Sequence, residues 1–374
     1  MRRKKTGTRY FFEKIFTKNQ LFILLLSNLM ISSAFSADFT TNITTQINST
    51  TGDSISRADG DQGIYNINSG GSINVTGSDG AFDVNSNPLT ININADAGKG
   101  IISDLGYAIA DIDSDLGGSE GTSSLKINLN SGLIASNRGG AIAIGQFSPE
   151  SEQKFTINTL ANTSISAYRV AIESSMNSPI SFASTLTISN AGNISGGTSA
   201  IKSTGTRSIG VVNSGTINGK IIATTGKLTI FNTAGSITGS IDLGSNSESV
   251  ITLSNGLIDG SVKIGHNSQI INLNGGTYLG NINGSSASLG TVNINSNQTL
   301  NSSSSIGSTY SINNLNINSG ALLTLNSSSV SATNINLLGS LNLGDTATTI
   351  TGNIVGSGSG LLNVGSASHA VNGK

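Results

Sequence analysis

From residue 37 onward the chain alternates aliphatic residues with Asn, Thr and Ser in short runs. They read IYNIN (64–68), SINVT (72–76), LTININA (89–95), LKINLN (125–130) and FTIN (155–158), and continue as LTIS, LTIF, VITL, IINL, VNIN, LNIN, LLTL, INLL and LLNV. Each run sets two or three aliphatic side chains on one face and small polar ones on the other, the period-two signature of a half-buried strand. Helical periodicity is absent outside the N-terminal segment, so the pattern predicts an all-β chain.

The runs repeat. Between residues 186 and 283, glycine pairs bracket successive turns at Gly192/Gly196, Gly215/Gly219, Gly235/Gly239, Gly256/Gly260 and Gly276/Gly280, at steps of 23, 20, 21 and 20 residues. That period belongs to stacked arrays. Inside the brackets lie Ile194, Ile217, Ile237, Ile258 and Tyr278, which the repeat predicts to point inward and to stack. A looser register, Ala81-Phe82, Ala108-Ile109, Ala141-Ile142, Ala171-Ile172 and Ala200-Ile201, marks the first half, where longer loops such as 111–124 and 145–154 enlarge the unit. The expected fold is an all-β, right-handed parallel β-helix solenoid with coils of about 20 to 30 residues. The chain divides into an N-terminal signal segment at 1–36, a β-helix with larger loops at 37–185 and regular coils at 186–374.

Composition explains why such a stack is tolerated. The 374 residues include 47 Gly, 44 Asn and no Cys, with only 10% charged side chains, where an ordinary soluble domain has about 25%. In-register stacking at about 4.8 Å would set like charges against one another, whereas Asn, Ser and Thr hydrogen-bond along the ladder. Cysteine-free sequence excludes disulfides and thiolate chemistry. The net charge of −1 conceals two populations. Residues 1–36 hold seven of the basic side chains and one acid (Glu13), leaving 12 basic and 19 acidic groups, a net −7, on the remainder. An acidic rod with few aromatics argues against nucleic-acid binding.

The basic N-terminus runs into LFILLLSNLMI (21–31) and then SSAFSAD, the order of a secretory signal peptide with cleavage expected between Ser36 and Ala37. At about eleven residues the apolar run is shorter than the roughly 20 that span a bilayer, and no second such run follows. The mature chain is therefore expected to be exported, to the cell surface, the outer membrane or the medium, with no transmembrane helix.

The repeat LT-I-N-x-G-x-I-x-G behind a signal peptide resembles the passenger domains of bacterial autotransporters, which share a pectin-lyase-like right-handed β-helix. The resemblance is best over 186–283, and again at LNINSGALLTL (315–325) and GSGSGLLNVG (356–365). It implies an exported surface protein of Gram-negative bacteria with an adhesive or structural role and with host or bacterial surface molecules as partners. Family members continue into a C-terminal outer-membrane barrel, which the sequence ending at Lys374 does not contain. The resemblance therefore points to an outer-membrane transporter acting in trans, or else to a non-functional fragment of a longer autotransporter.

Candidate chemistry is sparse. Two histidines, His266 and His369, are 103 positions apart, and GGSEG (117–121) lacks the strand-to-helix elbow that would activate Ser119. No catalytic residue and no cofactor is assigned. Asp111, Asp113, Asp115 and Glu120 form the best, though weak, metal candidate, since alternate acids can converge on a hard cation such as Ca²⁺. Leu116 and Thr122 stand where an EF-hand needs Gly and Glu, so a solvated loop is the alternative. DGDQG (59–63) and SDGAFD (78–83) are similar. A β-helical polysaccharide lyase or hydrolase would want clustered carboxylates and a basic group, but residues 174–374 offer only Asp242, Glu248, Asp259 and Asp345 among acids, widely spaced. The acidic loops between Asp104 and Glu152 are the expected specialised surface.

Overall fold

A computed structural model describes residues 39–49, 63–76, 82–83, 89–111, 124–145, 153–175, 184–326 and 328–373. Among these residues there are strands and turns but no helix, and the strand pairings are parallel. The signal segment and the Ser36–Ala37 junction lie outside the described residues.

Among the described residues a typical coil contributes one strand to each of three ladders. The first ladder climbs from Phe39–Ile43 through Gln153–Thr159, Ser184–Asn190, Ser208–Asn213, Leu228–Asn232, Val250–Leu253 and Ile270–Leu273 to Ser329–Leu337 and Thr349–Gly356. The second is a 10-stranded sheet from Gln46–Ser49 to Thr277–Leu279, succeeded along the stack by a 4-stranded sheet from Gln298–Leu300 to Leu361–Val364. The third runs from Phe82–Asp83 to Ala370–Asn372. Near the C-terminal end Ser329–Leu337 passes around a corner and pairs in both the third and the first ladder, joining them into one 25-stranded sheet. This is a parallel β-helix.

The repeat arithmetic finds its cause in these ladders. Ile194, Ile217, Ile237, Ile258 and Tyr278 are consecutive partners in the second ladder, and all five are buried. The Ala-Ile pairs mark the third ladder, where Phe82, Ile109, Ile142, Ile172 and Ile201 stack in turn. The two registers are thus two sides of one coil. A parallel sheet is ordinarily covered on both faces; here the inward faces of the three ladders cover one another, forming a single aliphatic core along the helix.

The bracketing glycines serve two ends. Gly219 and Gly239 have φ of +122° and +138°, a region L-residues rarely occupy. Gly215 has no such backbone, but a Cβ there would sit 2.2 Å from the carbonyl oxygen of Gly192 on the preceding coil. Close approach between coils, as much as positive φ, demands glycine at these corners.

Exposure rises over residues 355–371. Leu341 is 1% exposed, while its partner on the last coil, Leu362, is 37% exposed. Val355, Leu361, Val364 and Val371 on that coil are also exposed.

Candidate interaction surface

Outward positions of the first ladder carry an asparagine column. Asn66 Nδ2 donates to Asn42 Oδ1 (3.0 Å), Asn92 to Asn66 (2.8 Å), Asn128 to Asn92 (2.8 Å) and Asn158 to Asn128 (2.9 Å). A second run links Asn272, Asn293, Asn316 and Asn336. Between the two runs the column reads Ser189, Val212, Phe231 and Thr252, and Val212 and Phe231 are 44% and 42% exposed.

In those same coils the polar residues move inside. The last inward position of the first-ladder strand, Ile67, Ile93 and Leu129 in earlier coils, becomes Thr159, Asn190, Asn213 and Asn232, all buried. Thr159 Oγ1 donates to Asn190 Oδ1 (2.6 Å), Asn190 Nδ2 to Asn213 Oδ1 (2.8 Å) and Asn213 Nδ2 to Asn232 Oδ1 (2.8 Å). The remaining amide hydrogens reach backbone carbonyls of the next turns, including Thr216 and Leu257. From Leu253 through Leu337 the position is aliphatic again.

At the other end of these strands Arg207 is fully buried. Its guanidinium donates to Ser184 Oγ (2.8 Å), Ser174 Oγ (2.7 Å), Gln153 Oε1 (3.3 Å) and the carbonyls of Ile144 and Gly145, and lies 4.5 Å from the Phe155 ring centre. Buried Arg is tolerated when its donors are met in this way, and here they tie several coils together.

Most of the acidic loops expected as a specialised surface between Asp104 and Glu152, residues 112–123 and 146–152, lie outside the described residues. The turns Asp104–Leu105, Asn137–Arg138 and Tyr168–Arg169 stack at the corner between the second and third ladders, because Ser103, Ser136 and Ala167 are in register. Tyr168 is 69% exposed and Leu105 40%. Beneath them, Tyr107 OH donates to Glu173 Oε2 (2.5 Å) and Lys202 Nζ to Glu173 Oε1 (2.8 Å). Partial burial alone would raise the Glu173 carboxyl, but the hydrogen bonds from Lys202 and Tyr107 and the charges of Lys202 and Arg169 hold it below the ordinary value. Burial and the Glu173 carboxylate together push the Tyr107 phenol up, so it stays a donor. The corner is cationic and aromatic. Arg138 and Arg169, 31 residues apart, are exposed in the turns that follow the paired strands Leu133–Ser136 and Ser164–Ala167, where the Arg169 N–H bonds the Gly139 carbonyl (3.1 Å).

Among the described residues the other candidates do not converge. Asp111 ends a strand paired with Ile142–Ile144, while Asp113, Asp115, Glu120 and the GGSEG segment lie outside the described residues, as does most of 59–63 and 78–83. Among the described residues no three His, Asp or Glu side chains are grouped as metal ligands. Asp242 pairs with Lys263 (3.0 Å) and Glu248 with Lys227 (3.1 Å) on neighbouring coils. Asp345 accepts from the backbone N–H and hydroxyl of Ser366, which hold its carboxyl low. His369 stands nearby, a juxtaposition that coil stacking creates and spacing concealed. Its Nδ1, however, is 2.8 Å from the buried Thr348 hydroxyl, and Ser366 is bonded to Asp345 rather than to the imidazole. His266 lies in a separate turn, where Nδ1 accepts from the Ser268 N–H. A recess near Asn281, Ser304, Ser305, Ser328 and Thr349 is lined by hydroxyl and amide groups, without an ionisable side chain.

Compared with known protein families, curated proteins and solved structures, the chain matches none of them.

Proposed function

We propose that the chain is an exported, surface-associated β-helical protein of the autotransporter-passenger kind, acting by adhesion or as a structural element. The observation that carries the reading is the stacking, among the described residues, of parallel coils whose first-ladder outer positions include two long runs of hydrogen-bonded Asn. Such a rod presents a long lateral surface, and its stacked polar ladders suit a role in contact. The basic and apolar N-terminal segment, with its Ser36–Ala37 junction, supports export, with an outer-membrane transporter acting in trans and molecules of host or bacterial surfaces as the partners.

Surface proteolysis of intact cells expressing the full chain tests this. The expected result is a cell-surface or released product beginning at Ala37, and increased attachment of those cells to host cells or to one another. A product that stays in the cytoplasm with Met1 intact would overturn the proposal.

A further inference from the structure

Asparagine is followed by glycine five times, at Asn218, Asn255, Asn274, Asn283 and Asn372, and the fold holds four of these steps. The Gly219 N–H donates to the Thr238 carbonyl (2.8 Å) and the Gly284 N–H to the Tyr310 carbonyl (3.3 Å), while Asn283 Oδ1 accepts from the Thr309 N–H (2.9 Å). Asn274 Oδ1 accepts from Asn295 Nδ2 (2.6 Å), in a ladder that continues to Asn318. Asn372 lies within the strand Ala370–Asn372, paired with Thr351. Asn255 differs. It is exposed in the turn between Val250–Leu253 and Leu257–Asp259, and neither its side-chain amide nor the Gly256 N–H has a hydrogen-bond partner among the described residues. The turn is anchored on both sides, by Ser254 N–H to the Asn232 carbonyl (3.0 Å) and Leu257 N–H to the Gly235 carbonyl (2.9 Å). At the same corner of adjoining coils, Ala191, Ser214, Ala234 and Gly275 precede Gly192, Gly215, Gly235 and Gly276. Among these coils Asn255 alone sets an amide side chain before the glycine.

We infer that Asn255 is a site of spontaneous deamidation, with water as co-reactant, that changes the charge and backbone of the folded protein with time. Asparagine is a thermolabile residue, because the backbone nitrogen that follows it can attack its side-chain carbonyl carbon. At Asn255 the new bond joins Gly256 N to Cγ and closes a five-membered succinimide. The Cγ–Nδ2 bond breaks, and Nδ2 leaves as ammonia with the proton that Gly256 N gives up. Water then opens the ring at either carbonyl, leaving aspartate, or isoaspartate in which the main chain runs through Cβ and Cγ. Glycine offers no Cβ to obstruct the attack, whereas a backbone N–H that is already bonded must first lose its acceptor. The isoaspartyl product lengthens the main chain where there is no slack. A Cβ on Gly256 would sit 2.2 Å from the Gly235 carbonyl oxygen, so an added methylene displaces Leu257–Asp259 from its pairing with Ser236–Thr238.

This chemistry is intrinsic to the chain and independent of its export or adhesive role. The test incubates the purified full chain in neutral and mildly alkaline buffer, native and in urea, and follows it by peptide mass mapping. In the native chain Asn255 should convert first, severalfold faster than each of the other four, read as O in place of NH in its peptide and one added negative charge on the protein. The rate should rise with pH, since the attacking nitrogen must shed its proton. In urea, where the stacking that holds the other steps is gone, the five rates should converge. Asn255→Gln, whose longer side chain would have to close a larger ring, should remove the fast phase without moving the melting temperature, the side chain being exposed. Asn255→Asp, which adds the charge on an unlengthened backbone, should melt with the parent, and the isolated isoaspartyl form should melt lower. A native chain in which Asn218 or Asn283 reacts as fast as Asn255, or in which Asn255 does not react at all, would overturn the inference. An isoaspartyl form that melts with the parent would overturn its structural consequence.

Discussion

The coils at 184–232 and those at 270–317 share one strand pattern and place their asparagines oppositely. In IINLN the asparagine at 272 points out and joins a half-buried outer column, with Leu273 buried behind it. In LTIFN the outward position is Phe231 and the buried one is Asn232. A strand's alternation fixes which positions share a face but not which face must be apolar at its last residue. A polar column can run inside because stacking gives each amide identical partners above and below, so that its donors and acceptors are met. A lone asparagine at the same depth would leave groups unpaired at about 1–3 kcal/mol each.

That contrast can be broken from the inside. Asn213→Ala removes the middle of the buried column, orphaning groups on Asn190 and Asn232, and should cost about 3 kcal/mol in urea unfolding. Replacing Asn190, Asn213 and Asn232 together by Leu, the residue of the flanking coils, should cost less than the sum of the three single losses. A strictly additive result would show that the column does not act as a unit. Arg207→Met should cost roughly 2–3 kcal/mol, since Ser174, Ser184 and two carbonyls lose a charged donor while the apolar stem is kept.

Effects on the outer surface should be smaller. Glu173 is held below its ordinary value, so its contribution is present above about pH 4.5 and lost as pH falls through the lower folded value. Glu173→Gln should therefore flatten part of the acid branch of the stability curve, by at most about 1 kcal/mol. The least expected change comes from completing the outer column. Val212→Asn with Phe231→Asn should alter stability by no more than about 0.5 kcal/mol while lowering binding of an apolar dye. A loss of several kcal/mol would mean that the outward Val and Phe are packed in a way their exposure conceals.

Much of this architecture was legible beforehand, and the reason is physical. Residues that stack coil upon coil must recur, so Ile194 through Tyr278 and the Ala-Ile pairs announced their columns by spacing alone. Their assignment to two different ladders required the pairing. The inversion around Asn213 was less visible, because Asn-Ser-Gly after a strand reads equally as a turn. Arg207 gave no sign of burial, for its partners come from Ile144 to Ser184 and meet only when coils are superposed. The cationic corner was hidden for the same reason. The acids at 104–152 dominated the local count, and Arg169 belongs to that corner through register rather than proximity in sequence.

In a parallel β-helix the hydrogen bonds between coils cross from strand to strand, slanted but directed mainly along the rod. A force applied through the chain ends therefore peels bonds from the terminal coil one after another, instead of shearing a whole sheet at once. A coil whose core face is open to solvent, as at Leu362 and Val364, holds fewer apolar contacts and should yield before the fully covered ones. Each step would release a coil of about 20 residues, or roughly 70 Å of extended chain. Such a rod resists compression and lateral load but lengthens in small, repeated increments under tension, lowering the peak force on whatever its side holds.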